Sequence, residues 1–213
     1  VGNFSNSNKY LTMMDSGIVF SPLSTFFTSD SHFFHRNIIT YCHRPFESIE
    51  QMNDALITNW NSVVPKNVVV FHLGDFCFGD AKQWNELLDR LHGRIYLCLG
   101  NHDIRHLNRP FMQRFAGVSH EMYIRVDRQP IILNHYPFLS FGGKEDWGWQ
   151  LFGHIHTNPF NDNVLSNERI EFLTPTQYDV GVDNNNYAPI PFRRLQSIIS
   201  YQSDTSRRYR SWE

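Results

Sequence analysis

Apolar positions along the first half of the chain switch between strand and helix periods. Thr25 to Thr28 is a short β-branched and aromatic run that stops at Ser29-Asp30, and it reads as a buried strand. Ser48-Ile49-Glu50-Gln51 then has the spacing of a helix capping box. After it Ile49, Met52, Leu56, Trp60 and Val63 recur every three or four residues, which predicts a helix with one apolar face. Asn67 to Leu73 is Val-rich without alternation, as in a strand covered on both faces. Asp80 offers an N-cap to a second helix with Trp84, Leu87, Leu88 and Leu91 on one side, and Gly93 stops it. Ile95 to Leu99 is a third strand. This β-α-β-α-β order predicts a largely parallel sheet with helices against it.

The pattern changes after Gly117. Val118 to Val126, Ile131 to Asn134, Gln150 to Phe152, Ile170 to Leu173 and Asp179 to Val182 read as strands with little helix between them. A second, more antiparallel sheet packed face to face on the first is the simplest reading. Pro191 to Tyr201 predicts a late helix, followed by a polar tail over about 202–213 that frays. The fold class is therefore α/β, a two-sheet (αββα) sandwich of mixed sheets flanked by helices. It is read as one domain over 1–213, with a polar N-terminal extension over about 1–20.

Each strand end delivers a short polar side chain. The first strand ends in Asp30-Ser31-His32, the second in Gly74-Asp75, and the third in Gly100-Asn101-His102-Asp103. Later strands end in Asn134-His135 and Gly153-His154-Ile155-His156. In an open α/β sheet, ligands gather beyond the carboxyl ends of the strands, so these residues are expected along one edge. A phosphate ester resists attack because its negative oxygens repel nucleophiles. A pair of cations neutralises that charge and lowers the pKa of a water held between them. Two such ions need a shared carboxylate, and Asp75 on its Gly-Asp turn is the natural bridge. D-x-H and H-x-H spacings project alternate residues of an extended segment the same way, pairing Asp30 with His32 and His154 with His156. Asn101 adds a neutral amide oxygen. His102, its neighbour, is left to face the substrate.

Taken together, Asp-x-His, Gly-Asp, Gly-Asn-His-Asp, His and Gly-His-x-His in this order resemble the calcineurin-like metallophosphoesterase superfamily from about Thr25 to Val182. One such motif is weak; five in order, each after a strand, are specific. The resemblance implies a first metal set of Asp30, His32, Asp75 and His156, and a second of Asp75, Asn101, His135 and His154. It implies phosphate-ester hydrolysis by a metal-bridging hydroxide, with His102 protonating the leaving oxygen. Two divalent transition-metal ions (Mn, Fe, Zn, Ni or Co) are the implied cofactors. The run Asp30 to Ile39 with Arg44-Pro45-Phe46 is similar to a compact bacterial and phage subgroup. One departure matters: where the protein phosphatases carry an Asp that supports the catalytic histidine, this chain has Phe78. That argues against protein-phosphatase activity and favours phosphodiesters. A phosphomonoesterase or nucleotide pyrophosphatase is the alternative enzyme, and a metal-binding scaffold of the same fold the alternative outside enzymes.

Around this core of motifs, Arg36 and Asn37 open a helix whose amides and charge are candidates for holding a phosphate. Arg44 either reaches the same anion or makes a packing corner. Lys144, Trp147 and Trp149 either rim the site or pack in the core. Asp183 and the asparagines after it read as a turn.

Composition narrows the partners. The 213 residues suffice for one sizeable core, and 19 Lys+Arg against 21 Asp+Glu give a formal charge of −2. No long duplex nucleic acid is expected; a small phosphate ester, such as a nucleotide or cyclic nucleotide, is. No apolar run is long enough to span a membrane. Val1 to Asn8 lack the pattern of a secretory signal. The 3 cysteines are odd in number and lack zinc-finger spacing, so they read as reduced thiols of a cytoplasmic protein.

Overall fold

A computed structural model describes residues 19–106, 109–143, 148–157 and 172–210. Among these residues ten strands, numbered β1 to β10 in chain order, form two five-stranded sheets, ordered β10-β2-β3-β4-β5 and β1-β6-β7-β8-β9. In the first sheet β2 (Thr25–Thr28), β3 (Val69–His72), β4 (Arg94–Cys98) and β5 (Gly117–Ser119) run parallel, and β10 (Ile190–Pro191) closes it antiparallel to β2. In the second, β1 (Val19–Phe20) lies parallel to β6 (Glu121–Val126), and β7 (Gln129–Asn134), β8 (Trp149–Phe152) and β9 (Gln177–Asp179) are mutually parallel. The sandwich architecture is as expected, with helices flanking mixed sheets.

Alternation along the strands of the first sheet builds two cores. Phe27, Phe71, Tyr96 and Cys98 face the second sheet and bury against Met122, Ile124, Ile131, Leu133 and Leu151. Phe26, Val70, Ile95 and Leu97 face the other way. They meet Met52, Leu56 and Trp60 of α2 (Ile49–Val63) and Trp84 and Leu87 of α3 (Ala81–Arg90). The capping box forms in full at α3, where Asp80 and Gln83 exchange both bonds. At α2 only half forms: Ser48 accepts from Gln51 N, while the Gln51 amide oxygen accepts from Glu47 N. The last described helix, α4 (Phe192–Arg210), buries Phe192, Leu195 and Ile199 in the inter-sheet core.

Four sequence expectations are corrected. The run 118–126 is two strands, because the chain leaves the first sheet at Ser119 and enters the second at Glu121. The second sheet is not mainly antiparallel, since among the described residues only β6 and β7 pair that way, across the turn at Asp127, whose φ is 54°. The connections 135–148 and 153–176 are long enough for parallel crossovers. The expected strand at 179–182 lies earlier, as β9, and Val182–Asn184 turns as a 3-10 helix instead. The last described helix runs on to Arg210, past the expected start of the polar tail at about 202. Of the expected strand 170–173, the first two residues lie outside the described residues and the last two are not in a strand. Among the described residues, no helix is long and apolar enough to cross a membrane.

Candidate metal centre

Asp30 and His32 follow β2, Asp75 follows β3, Asn101 and His102 follow β4, His135 follows β7, and His154 and His156 follow β8. Because β2, β3 and β4 are parallel, as are β7 and β8, all these turns reach one edge of the sandwich. The segments carrying them are not extended, as the spacing suggested. Asp30, His32, Asp75, His154 and His156 all have left-handed backbone, with φ of 54°, 50°, 54°, 70° and 48°. Such residues cost about 1–3 kcal/mol each and persist only where their surroundings hold them. Here Asp30 N donates to Gly74 O and His32 N to Asp75 O, each at 3.0 Å, and His154 N donates to Asp30 Oδ2 at 2.9 Å. Glycine is required on the facing turns. A Cβ on Gly153 would collide with Ser29 Oγ and Asp30 Oδ2, and one on Gly100 with the Asp75 carboxylate.

The turns bring seven donor groups together. Asp75 Oδ2 lies 3.6 Å from His32 Nε2 and 3.6 Å from His135 Nε2. His156 Nε2 is 3.7 Å from Asp30 Oδ1, and Asn101 Oδ1 is 3.1 Å from His135 Nε2. His154 parts from His156: its ring centroid is 4.9 Å from that of His135, whereas His156 joins Asp30 and His32. Ligand atoms of Asp30, His32 and His156 lie within 4.8 Å of one another, and so do those of Asp30, Asp75 and His135. Two donors each about 2.1 Å from one ion stand roughly 3.0–3.6 Å apart at angles between 90° and 120°. The spacings fit divalent cations. A second observation agrees: Asp30 Oδ1 and His32 Nε2 are buried and accept or donate no hydrogen bond, a costly state unless something else satisfies them.

Electrostatics keep the set poised. Burial, then the charges of His156 and Arg44, holds His32 well below the usual imidazole range, so it is neutral and able to donate a lone pair. Burial also disfavours charge on His156, but the carboxylates of Asp30 and Asp183 outweigh it and raise its pKa. Burial pushes Asp75 up against the pull of His135. Cations would reverse both shifts by replacing protons at the same atoms.

A surrounding layer holds the donors in place. Asp103 accepts from Asp75 N (2.8 Å), Phe76 N (2.9 Å) and Gly100 N (2.8 Å), locking two turns together. His135 Nδ1 donates to Leu73 O at 2.7 Å, and His156 Nδ1 to Asp183 Oδ2 at 2.8 Å. Asp183 is also gripped by Arg44 through Nε (2.8 Å) and the Nη2 amine (2.9 Å). Burial would raise the Asp183 pKa, yet Arg44 and His156 hold it down to about 2. Arg44 further donates to the carbonyls of Asp30 and Ser31. It is therefore neither an open anion site nor a simple packing corner, and Asp183 is more than a turn. Sequence reading missed both roles because 139 positions separate the partners; Asp103 had a motif but no assigned part.

His102 stands at the open side, with its side chain 40 % exposed and Nε2 3.9 Å from Asp75 Oδ2. Its ring packs on Phe78 at a centroid distance of 4.8 Å. Arg36 and Asn37 are exposed at the start of α1 (Asn37–Tyr41), a helix of only 5 residues without a side-chain cap. Neither makes a side-chain contact with the donor set among the described residues. Trp149 is buried and stacks on Phe192, so it belongs to the core rather than a rim; Lys144 and Trp147 lie outside the described residues.

Residues 23–180, most of the chain, match the calcineurin-like phosphoesterase family. The chain belongs to that family. Calcineurin-like phosphoesterases are hydrolases of phosphate esters, and this protein is one of them. It is 35% identical over 173 residues to an uncharacterized protein of Methanocaldococcus jannaschii, covering 80% of this chain and 88% of the relative. It is 30% identical over 184 residues to the Gene 66 protein of Mycobacterium phage L5, covering 75% and 86%. A crystal structure of a protein of unknown function from Aquifex aeolicus superposes with a TM-score of 0.62 at 26% identity, over 82% of this chain and 98% of the other.

Proposed function

We propose that this calcineurin-like phosphoesterase cleaves phosphodiesters in preference to monoesters at a two-metal centre bridged by Asp75. Asp30, His32, Asp75 and His156 would hold one ion, and Asp75, Asn101, His135 and His154 the other. The placement of Asp75 Oδ2 equidistant from His32 Nε2 and His135 Nε2, at 3.6 Å each, carries this reading. Divalent cations held by these residues would neutralise phosphoryl charge and lower the pKa of a bound water. Mixed carboxylate, amide and imidazole donors suit Mn, Fe, Zn, Ni or Co, and affinity order alone does not choose among them.

The chain's own residues supply the rest. His102, exposed beside the donor set, holds a proton at Nε2 for the departing alkoxide. Asp103 and Leu73 O keep Asp75 and His135 aimed while charge moves. Arg44 is fully engaged by Asp183, so it offers no buried guanidinium to the second negative charge of a monoester. That supports diesters. Tyr136 is 42% exposed and its ring lies 4.6 Å from that of His154, a face on which a planar base can stack. A nucleotide or cyclic nucleotide fits this arrangement.

The test loads the protein with Mn²⁺, counts ions by elemental analysis, and compares bis(para-nitrophenyl) phosphate with para-nitrophenyl phosphate. Two ions per chain and faster diester hydrolysis are expected. One ion would refute the bridged centre; faster monoester hydrolysis would refute the diester preference.

A further inference from the structure

We infer that His35 is a positioning residue: its Nδ1 sets the tautomer of His32, and its ring fixes the surface against which His102 lies. This rests on the two-metal reading. Three imidazoles point Nε2 toward the donor set, and each has Nδ1 on a different partner. For His135 the partner is the Leu73 carbonyl and for His156 it is the Asp183 carboxylate, both of which can only accept. For His32 the partner is His35 Nδ1, at 3.2 Å. Two ring nitrogens leave the direction open until the far side of His32 is considered. There Nε2 is buried without a hydrogen-bond partner, 3.6 Å from Asp75 Oδ2 and among the ligand atoms of Asp30 and His156. A cation at that place requires a lone pair on Nε2. A neutral imidazole then carries its proton on Nδ1 and donates it to His35, whose own proton sits on Nε2. Ligating histidines commonly rely on such a partner to fix tautomer and ring orientation.

The second half of the inference concerns Phe78. It is the common neighbour of His35 (4.1 Å between centroids, interplanar angle 11°), His102 (4.8 Å) and His32 (5.3 Å). His35 lies face to face on Phe78, and His102 tilts against it at 44°. A stacked pair so close cannot slide without opening a gap beside His102, so His35 braces the surface that orients the proton donor. Ring packing thus takes the place of a carboxylate partner for His102.

Two substitutions in the full chain separate the two jobs. His35→Phe keeps a ring for the stack and removes the acceptor. His35→Asn keeps an acceptor oxygen and removes the ring. Long-range ¹H–¹⁵N spectra of the metal-free protein should show His32 protonated at Nδ1 in the wild type and as a tautomer mixture in His35→Phe. Mn²⁺ affinity by calorimetry should fall about 10–100-fold in His35→Phe, and stay within a few-fold in His35→Asn. His35→Asn should instead lose more turnover of an alkyl diester than of a nitrophenyl one. A wild-type His32 protonated at Nε2, unchanged affinity in His35→Phe, or equal losses of affinity in both variants would overturn the tautomer role. A wild-type ratio of alkyl to nitrophenyl rates in His35→Asn would overturn the bracing role. Failure of the wild type to bind Mn²⁺ would sink the two-metal reading itself, whereas the spectra judge His35 in metal-free protein.

Discussion

Asp183→Asn is the most informative single substitution, because one carboxylate serves two clients. Asp183 and Arg44 have fully buried side chains joined by two bonds of 2.8 and 2.9 Å, and Asp183 Oδ2 also accepts from His156 Nδ1 at 2.8 Å. The amide is isosteric, so packing is kept while charge is lost. Its NH₂ must face a donor on one side or the other. Removing one partner of a buried pair typically costs about 3–5 kcal/mol, and the retained oxygen places this change near about 3. A domain of this size loses about 2–4 °C in Tm per kcal/mol, so melting should fall by about 6–12 °C. That is less than a total stability of about 5–15 kcal/mol, so the variant still folds. Metal binding should weaken about 10–100-fold, because His156 Nδ1 then meets at best a neutral amide oxygen in place of the carboxylate that aims Nε2. Thermal melts of metal-free protein and Mn²⁺ calorimetry read the two effects separately. A double variant, Arg44→Met with Asp183→Leu, should recover only the part of the stability that the unpaired Arg44 charge costs, since the carbonyls of Asp30 and Ser31 also lose their donor. It should not recover affinity, because Leu offers His156 Nδ1 no acceptor at all. Recovery of both, or wild-type affinity in Asp183→Asn, would refute the claim that Asp183 aims His156.

Three further outcomes are expected. His102→Ala should keep the wild-type metal content, lose about 10²–10⁴ in rate on an alkyl diester, and lose less on a nitrophenyl one whose anion leaves unaided; a metal-depleted variant would make His102 a ligand. Arg36→Ala should raise KM without changing metal content, since Arg36 is exposed just beyond His32; unchanged kinetics on every substrate would make that segment purely structural. His72, buried against Trp60 and bonded to Ser31 Oγ at 2.8 Å, has its pKa lowered to about 3 from 6.5 by burial. The unfolded chain therefore takes up a proton below pH 6.5 that the folded chain refuses until about pH 3, and stability is lost as pH falls through that window. His72→Phe should remove up to about 1.4 kcal/mol per pH unit of that slope, measured by urea unfolding of metal-free protein; an unchanged slope would show that His72 does not set it.

Much of the fold could be read in the sequence where a helix or strand is decided locally. The apolar faces of α2 and α3 and the unalternating run of β3 announce elements that the two cores then bury. Reading failed where pairing is decided at a distance. Nothing local separates β5 from β6, because the chain passes from one sheet to the other across a single residue, His120. Likewise the parallel pairing of β7, β8 and β9 depends on long connections that the alternation of side chains does not record.

The same division runs through the site. Asp30, His32, Asp75, Asn101, His135, His154 and His156 each follow a strand in a short motif, and Gly74, Gly100 and Gly153 stand directly before Asp75, Asn101 and His154 because close approach of two turns is a local demand on backbone. Their supports answer to no such demand. Asp183 needs only to be a carboxylate that meets Arg44 and His156, and its partners lie 139 and 27 positions away. His35 is close in sequence to His32, yet its role follows only from a 3.2 Å contact and a stack on Phe78 that spacing cannot express. A histidine or arginine beside a motif is thus ambiguous in sequence between surface and support. Burial together with the identity of the bonded atom decides it: the Arg44 side chain, fully buried on Asp183, supports the turn at Asp30, whereas Arg36, exposed without a partner among the described residues, is left to meet what comes from solvent.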